Sequence, residues 1–174
     1  MRLRALLILL ALVSTGCPAT LKPETMIPQV SVPVHKSASD ILVAVLGATD
    51  VTKLKPIHIT DEDFAQALQE SIEKSGLFRK ALRDVPGKYL LQAFFTQIDE
   101  QIFGIDMTAS MEVNYTLARM SPKEVLWEKK ISSSHTASMS DSLISITRLQ
   151  LATEGAARKN IEQAIQEISK LQLE

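Results

Sequence analysis

The chain has 174 residues, with 19 Lys and Arg against 20 Asp and Glu, and a single cysteine. Its size suits one domain with a sizeable core and is short for two. The near-neutral balance leaves no basic footprint for nucleic acid, and one cysteine excludes an internal disulfide, so the fold must be held by its apolar core.

Arg2 and Arg4 form a short basic region, Leu3 to Val13 is an apolar run broken only by Arg4, and Ser14-Thr15-Gly16-Cys17 closes it. Residues 1–16 therefore read as a secretory signal peptide, because the uninterrupted core is far short of the roughly 20 apolar residues a bilayer span requires. The small residues before Cys17 resemble the lipobox of bacterial lipoproteins. That resemblance implies cleavage before Cys17 and lipid attachment at Cys17, which becomes the first residue of the mature protein. A secreted protein with a stray cysteine is the alternative. Cleavage removes two arginines and leaves 158 residues with a net charge of −3. No polybasic cluster adds electrostatic binding, so attachment would rest on acyl chains, of which two or more hold stably where one is marginal.

Residues 17–40 read as the lipidated cysteine and a proline-containing tether. Pro18, Pro23, Pro28 and Pro33 recur at regular intervals, which disfavours helix and favours an extended path. At about 3.1 Å per residue, such a tether would reach on the order of 70 Å. Met26, Ile27, Val30, Val32 and Val34 fit a second placement as well, with part of the segment lying along the domain as an edge strand.

A single domain is expected over residues 41–174. Ile41 to Gly47 is a continuous apolar run and reads as a strand buried on both faces. A loop from Ala48 to Ile59 follows, broken by Pro56. Thr60 is the expected N-cap of a helix whose acidic first turn, Asp61-Glu62-Asp63, complements the helix dipole. Phe64, Leu68 and Ile72 form its buried stripe and Gly76 its end. A right-handed βαβ unit is expected here.

Tyr89–Phe103 and Ile105–Met120 read as two long strands meeting near Gly104. In the second, Met107, Ala109, Met111, Val113, Tyr115 and Leu117 alternate with Thr108, Ser110, Glu112, Asn114 and Thr116, so one face is buried and the other wet. Val125 to Thr136 closes the meander, with Trp127 and Ile131 expected inside. The first strand of the hairpin is apolar on both sides: Leu91, Ala93 and Phe95 on one, Leu90, Phe94 and Ile98 on the other. If the second side is the wet one, Leu90, Phe94 and Ile98 form an apolar patch that the valine-rich tether, a partner or lipid must cover. Leu143, Ile144 and Ile146 are expected to tuck under the sheet edge. A final helix spans about Thr147 to Leu171, its seam drawn by Ala157, Ile161, Ala164, Ile168 and Leu171, with Gly155-Ala156-Ala157 allowing close approach to the sheet.

The side chains offer little chemistry. His35, His58 and His135 lack metal-ligand spacing, the acidic trio at 61–63 is a helix start, no Gly-x-Ser-x-Gly elbow occurs, and six glycines form no phosphate loop. No cofactor, metal or catalytic residue is expected, and the chain is read as a non-enzyme.

A cysteine-ended leader, a proline-bearing segment, then strand, helix ending in Ser75-Gly76-Leu77-Phe78, a three-stranded meander and a helix carrying Glu154-Gly155-Ala156-Ala157-Arg158-Lys159-Asn160-Ile161 resembles the small α/β outer-envelope lipoproteins of Gram-negative bacteria. These include the lipopolysaccharide-assembly lipoprotein, auxiliary lipoproteins of lipid-transport ABC systems and lipoprotein activators of peptidoglycan synthases. The resemblance implies an α+β two-layer sandwich: a mixed sheet of about four strands in the order β-α-β-β-β-α, both helices on one face. It also implies a lipid-anchored, periplasm-facing accessory of an envelope assembly or lipid-transport complex, acting by contact with protein or with lipid. A regulator of peptidoglycan synthesis is the alternative within this architecture, and a secreted hydrolase or soluble-ligand binding protein the alternative outside it. Pro18 stands where an inner-membrane retention signal would have Asp, so outer-membrane sorting is expected.

Overall fold

The computed structural model describes residues 19–30, 37–102 and 104–173. The signal peptide, Cys17, Val32 and Val34 lie outside the described residues. In chain order the elements are β1 (Ala19–Thr20), α1 (Pro23–Met26), β2 (Asp40–Leu46), α2 (Ala48–Thr52), β3 (Ile57–His58), α3 (Asp61–Ser75), β4 (Lys80–Leu82), β5 (Tyr89–Gln101), β6 (Met107–Met120), β7 (Lys123–Ala137) and α4 (Ser145–Ile168). One mixed sheet has the order β4-β2-β5-β6-β7, and β1 with β3 makes a separate parallel pair. The expected two-layer α+β sandwich is present, with five strands rather than about four in its main sheet. The addition is β4, whose three residues are too few to show a period.

Local chemistry explains why the elements start and stop. Thr60 accepts from the Asp63 amide at 3.0 Å, and Gly76 closes α3 in the left-handed conformation at φ 68°. β6 alternates as its sequence dictates, every second residue from Met107 to Leu117 being buried. Its neighbours β5 and β7 are antiparallel to it, whereas β2 runs parallel to both β4 and β5. The parallel step from β2 to β4 passes through α2, β3 and α3, so the expected loop 48–59 contains a five-residue helix and a short strand.

Both long helices cover the same face of the sheet. Phe95 of β5 meets Phe64 of α3 edge-to-face at 4.7 Å, and Tyr115 of β6 bonds Asn160 of α4. Ala93 and Tyr115 are register partners two residues from Phe95, so these inner-face side chains share one layer. α4 packs tightly on β7 at Gly155, where an added Cβ would lie 2.0 Å from the His135 ring. Glycine there is a packing requirement. Asn160 is the polar pin of this layer: the Tyr115 hydroxyl donates to its Oδ1 at 2.9 Å, and its Nδ2 donates to the Ile131 carbonyl and to Ser133 Oγ, both at 3.1 Å. Ser133 in turn donates to the Ala156 carbonyl at 2.9 Å. Ile131 is buried as expected, but Trp127 is only half-buried.

The proline-bearing segment departs from a solvated tether over residues 19–30. Pro23 occupies the first turn of α1, where its missing N–H costs nothing, so this proline starts a helical turn instead of preventing one. Leu21 and Met26 are buried, and Ile27 and Val30 pack against the core. The Arg158 guanidinium donates twice to the Thr25 carbonyl, at 3.1 and 2.9 Å. The segment thus lies against α3 and α4 on the helical side of the sandwich.

Candidate functional site

The open face of the sheet carries the first candidate surface. The continuous apolar run of β2 predicts burial on both faces, yet only Ile41, Val43 and Val45 face the helices; Leu42 and Ala44 are half-buried and Leu46 is exposed on the other side. Register joins these residues across strands: Leu42 pairs with Leu82 of β4 and with Leu90 of β5, and Leu46 pairs with Phe94. Leu82, Leu42 and Leu90 therefore form one row across three strands, with Leu46 and Phe94 forming a second.

Phe94 is 48% exposed. Its ring borders a hollow of about 570 Å³ with Leu46, Gly47, Val51 and Thr96, and Asp50 and Asp61 at the rim. Gly47 matters here because it turns the chain at φ 86°, and an added Cβ would be 3.0 Å from the Phe95 carbonyl oxygen and 3.7 Å from the Phe94 ring. Towards β6 and β7 the face becomes polar. Glu112 accepts from Lys130 at 3.0 Å and from Ser132 at 3.1 Å, and these contacts hold its carboxyl below the usual carboxylate range. At the opposite edge Arg79 forks onto Asp40 at 2.8 and 2.7 Å.

Of the three residues expected to form the β5 patch, the structure keeps two on this face. Leu90 is half-buried and Phe94 exposed, but Ile98 is buried. The reason is a bulge between Phe95 and Gln97, which leaves Thr96 outside the ladder and moves every later side chain of β5 to the opposite face. Nor do residues 19–30 cover Phe94, since they lie on the helical side.

A second apolar surface sits at the end of the sheet where β5 passes to β6 and β7 to α4. Leu143, Ile144 and Ile146 do not tuck under the edge but are exposed, at 81%, 63% and 48%. Ile144 and Ile146 join Pro56, Ile102, Met107 and Leu149 around a groove of about 360 Å³ whose walls are apolar apart from Ser145. The sequence signal was a cluster of large aliphatics in a serine-rich loop, and nothing local decides whether such a cluster faces in or out. Beside it Glu100 has one carboxyl oxygen buried without a hydrogen-bond partner. Burial pushes its pKa up, and the nearby charges of Lys55 and His58 act in the other direction.

Among the described residues, no three His, Cys, Asp or Glu side chains are grouped as a metal site. No helix among them is long and apolar enough to cross a membrane. What the two surfaces can do chemically is exclude water from an apolar partner.

No protein-family model matches the chain, and no curated protein matches it in sequence. Solved structures share its fold. The Xanthomonas campestris protein XCC0632, of the family DUF330, superposes with a TM-score of 0.58 at 16% identity, over 87% of this chain and 92% of that one. A candidate lipoprotein of Caulobacter crescentus gives 0.52 at 12%, over 75% and 88%. The PelC dodecamer of Paraburkholderia phytofirmans, in a variant with one substitution, gives 0.52 at 11%, over 80% and 94%. At these identities the likeness is one of fold: a small sandwich that the candidate lipoprotein of Caulobacter crescentus also adopts.

Proposed function

We propose that this protein is a lipid-anchored accessory of an envelope assembly or lipid-transport complex, attached through Cys17 to the outer membrane, facing the periplasm and acting by protein contact without catalysis. The observation that carries the reading is the apolar double row Leu82-Leu42-Leu90 and Leu46-Phe94 on the sheet face away from α3 and α4, where Leu46 and Phe94 are 47% and 48% exposed. An uncovered apolar stripe costs solubility and is retained where a partner buries it. The leader ending in Cys17, and a fold shared with a candidate lipoprotein, support the anchored setting.

The position of β1 favours a membrane-proximal complex over a regulator that must reach the cell wall. β1 begins at Ala19, paired with Ile57, and Leu21 is buried two residues later. Chain length then limits the separation of Cys17 from Ala19 to about 7 Å, far less than a 70 Å tether would allow.

In-cell photocrosslinking from position 94 tests the contact, with the same probe at Lys130 on the polar part of the face as control. A defined envelope protein captured from position 94, absent from position 130 and lost with Cys17→Ala, is expected. If position 94 captures nothing specific, the contact reading fails.

A further inference from the structure

We propose that the apolar end of the sandwich, around Pro56, Ile102, Ile105, Ile144 and Ile146, is a membrane-docking surface that seats the domain on the lipid bilayer holding its anchor. The proposal rests on Cys17 being the lipidated residue, and adds to that reading a fixed orientation and a second, protein-borne contact with lipid.

Strand register places the anchor at this end. β1 and β3 run parallel, with Ala19 beside Ile57 and Thr20 beside His58, so the chain enters β1 from the side of Lys55 and Pro56. Cys17 precedes Ala19 by two residues and can lie no further than about 7 Å from it. Pro56 is itself a wall of the apolar groove, together with Ile102, Ile144 and Ile146. The end of the molecule from which the acyl chains must depart is therefore the end that displays the groove.

The side chains there are those an interface with lipid selects. Ile105, at the β5–β6 turn, is 66% exposed, and Leu54, in the loop before β3, is 96% exposed. Leu54 stands between Lys53 and Lys55, an aliphatic tip flanked by two ammonium groups that can remain at headgroup level while the leucine enters. The apolar residues come from three separate chain segments, the loop before β3, the β5–β6 turn and the start of α4, so only the folded domain assembles them into one surface. A lipid surface is favoured over a protein occupant because the chain length from Ala19 ties an anchored Cys17, and so a bilayer, close to Pro56, which is a wall of the groove. The acids Asp106 and Asp141 lie in the same loops, so the contact is apolar rather than electrostatic and should depend little on salt.

The test uses the full lipidated chain reconstituted in vesicles of phosphatidylethanolamine and phosphatidylglycerol. In a Trp127→Phe background, a single tryptophan is placed by Ile144→Trp or, as control, by Val125→Trp. Both sites are exposed, and they lie beyond or near opposite ends of β7, about 40 Å apart at the usual strand rise. If the rim is seated at an interfacial depth of about 5–10 Å, the tryptophan at 144 shifts to the blue and loses most of its fluorescence to acyl-brominated lipid, while that at 125 does neither. A second reporter, Leu54→Trp, is expected to be quenched in the same way and to lose that quenching when Ile144→Asp and Ile146→Asp are added. Flotation with the vesicles reports the anchor separately. Protein that floats with equal quenching at 144 and 125, or with none, overturns the docking surface and leaves the anchor standing. Protein that carries no lipid on Cys17 and does not float overturns both.

Discussion

Replacing Asn160 by alanine should destabilise this domain strongly. Its side chain makes three hydrogen bonds at zero exposure, joining α4 to β6 and β7. Truncation strands the fully buried Tyr115 hydroxyl, whose deprotonation burial already opposes strongly, and removes donors from Ile131 and Ser133. An orphaned buried group costs about 1–3 kcal/mol, and the lost bonds and residual cavity add to it, so Asn160→Ala is expected to lose about 3–5 kcal/mol. That is a large share of the roughly 5–15 kcal/mol available to a domain. Denaturant unfolding followed by circular dichroism measures it. The cycle with Tyr115→Phe isolates the cause. In the native background that change strands the buried Asn160 Oδ1 and costs about 1–3 kcal/mol, whereas beside Asn160→Ala it removes an orphan and should be neutral or stabilising. A loss below about 1 kcal/mol for Asn160→Ala, or an equal cost of Tyr115→Phe in both backgrounds, would refute the reasoning.

Further outcomes follow from the helical layer. Gly155→Ala gains about 1 kcal/mol of helix propensity but drives a methyl group into the His135 ring, at a cost of about 1–3 kcal/mol, so it should destabilise. With His135→Ala the sign should reverse, which thermal unfolding of the two pairs will show. Met26→Ala should lose about 2–5 kcal/mol in the same assay because Met26 is completely buried, whereas a solvated tether would give no change. Burial against α4, with the positive charges of Lys159 and Arg158, holds the His135 pKa below its usual 6.5. The unfolded chain then binds a proton that the native state resists, so the His135 contribution is flat above pH 6.5 and stability falls as pH drops below it. His135→Gln should flatten that part of a stability profile measured by denaturant unfolding.

Legibility in the sequence tracked how local each signal is. The cap at Thr60, the glycine at 76 and the strict alternation of β6 are decided within a few residues, and all three stand in the structure as read. The close approach at Gly155 was legible too, since three small residues in a helix interior have few other uses. Where a distant partner decides, the sequence could not say. β2 looks buried on both faces because Leu42, Ala44 and Leu46 are apolar, and only its pairing with Leu82, Leu90 and Phe94 shows that these form a surface. Strict alternation puts Ile98 on that surface, and the one extra residue at Thr96 moves it inside. Four prolines hid a helical turn because position within the turn, not composition, determines what proline does at Pro23. The aliphatics at 143–146 could have faced either way, since their exposure depends on where α4 starts relative to the sheet end.

Labelling cells with radioactive palmitate tests the central claim most directly, comparing the intact chain with Cys17→Ala after membrane fractionation. An anchored accessory protein takes up label, sediments with the outer membrane, and loses both properties on substitution. An intact chain that carries no label and stays in the soluble periplasmic fraction, as Cys17→Ala does, would contradict the account.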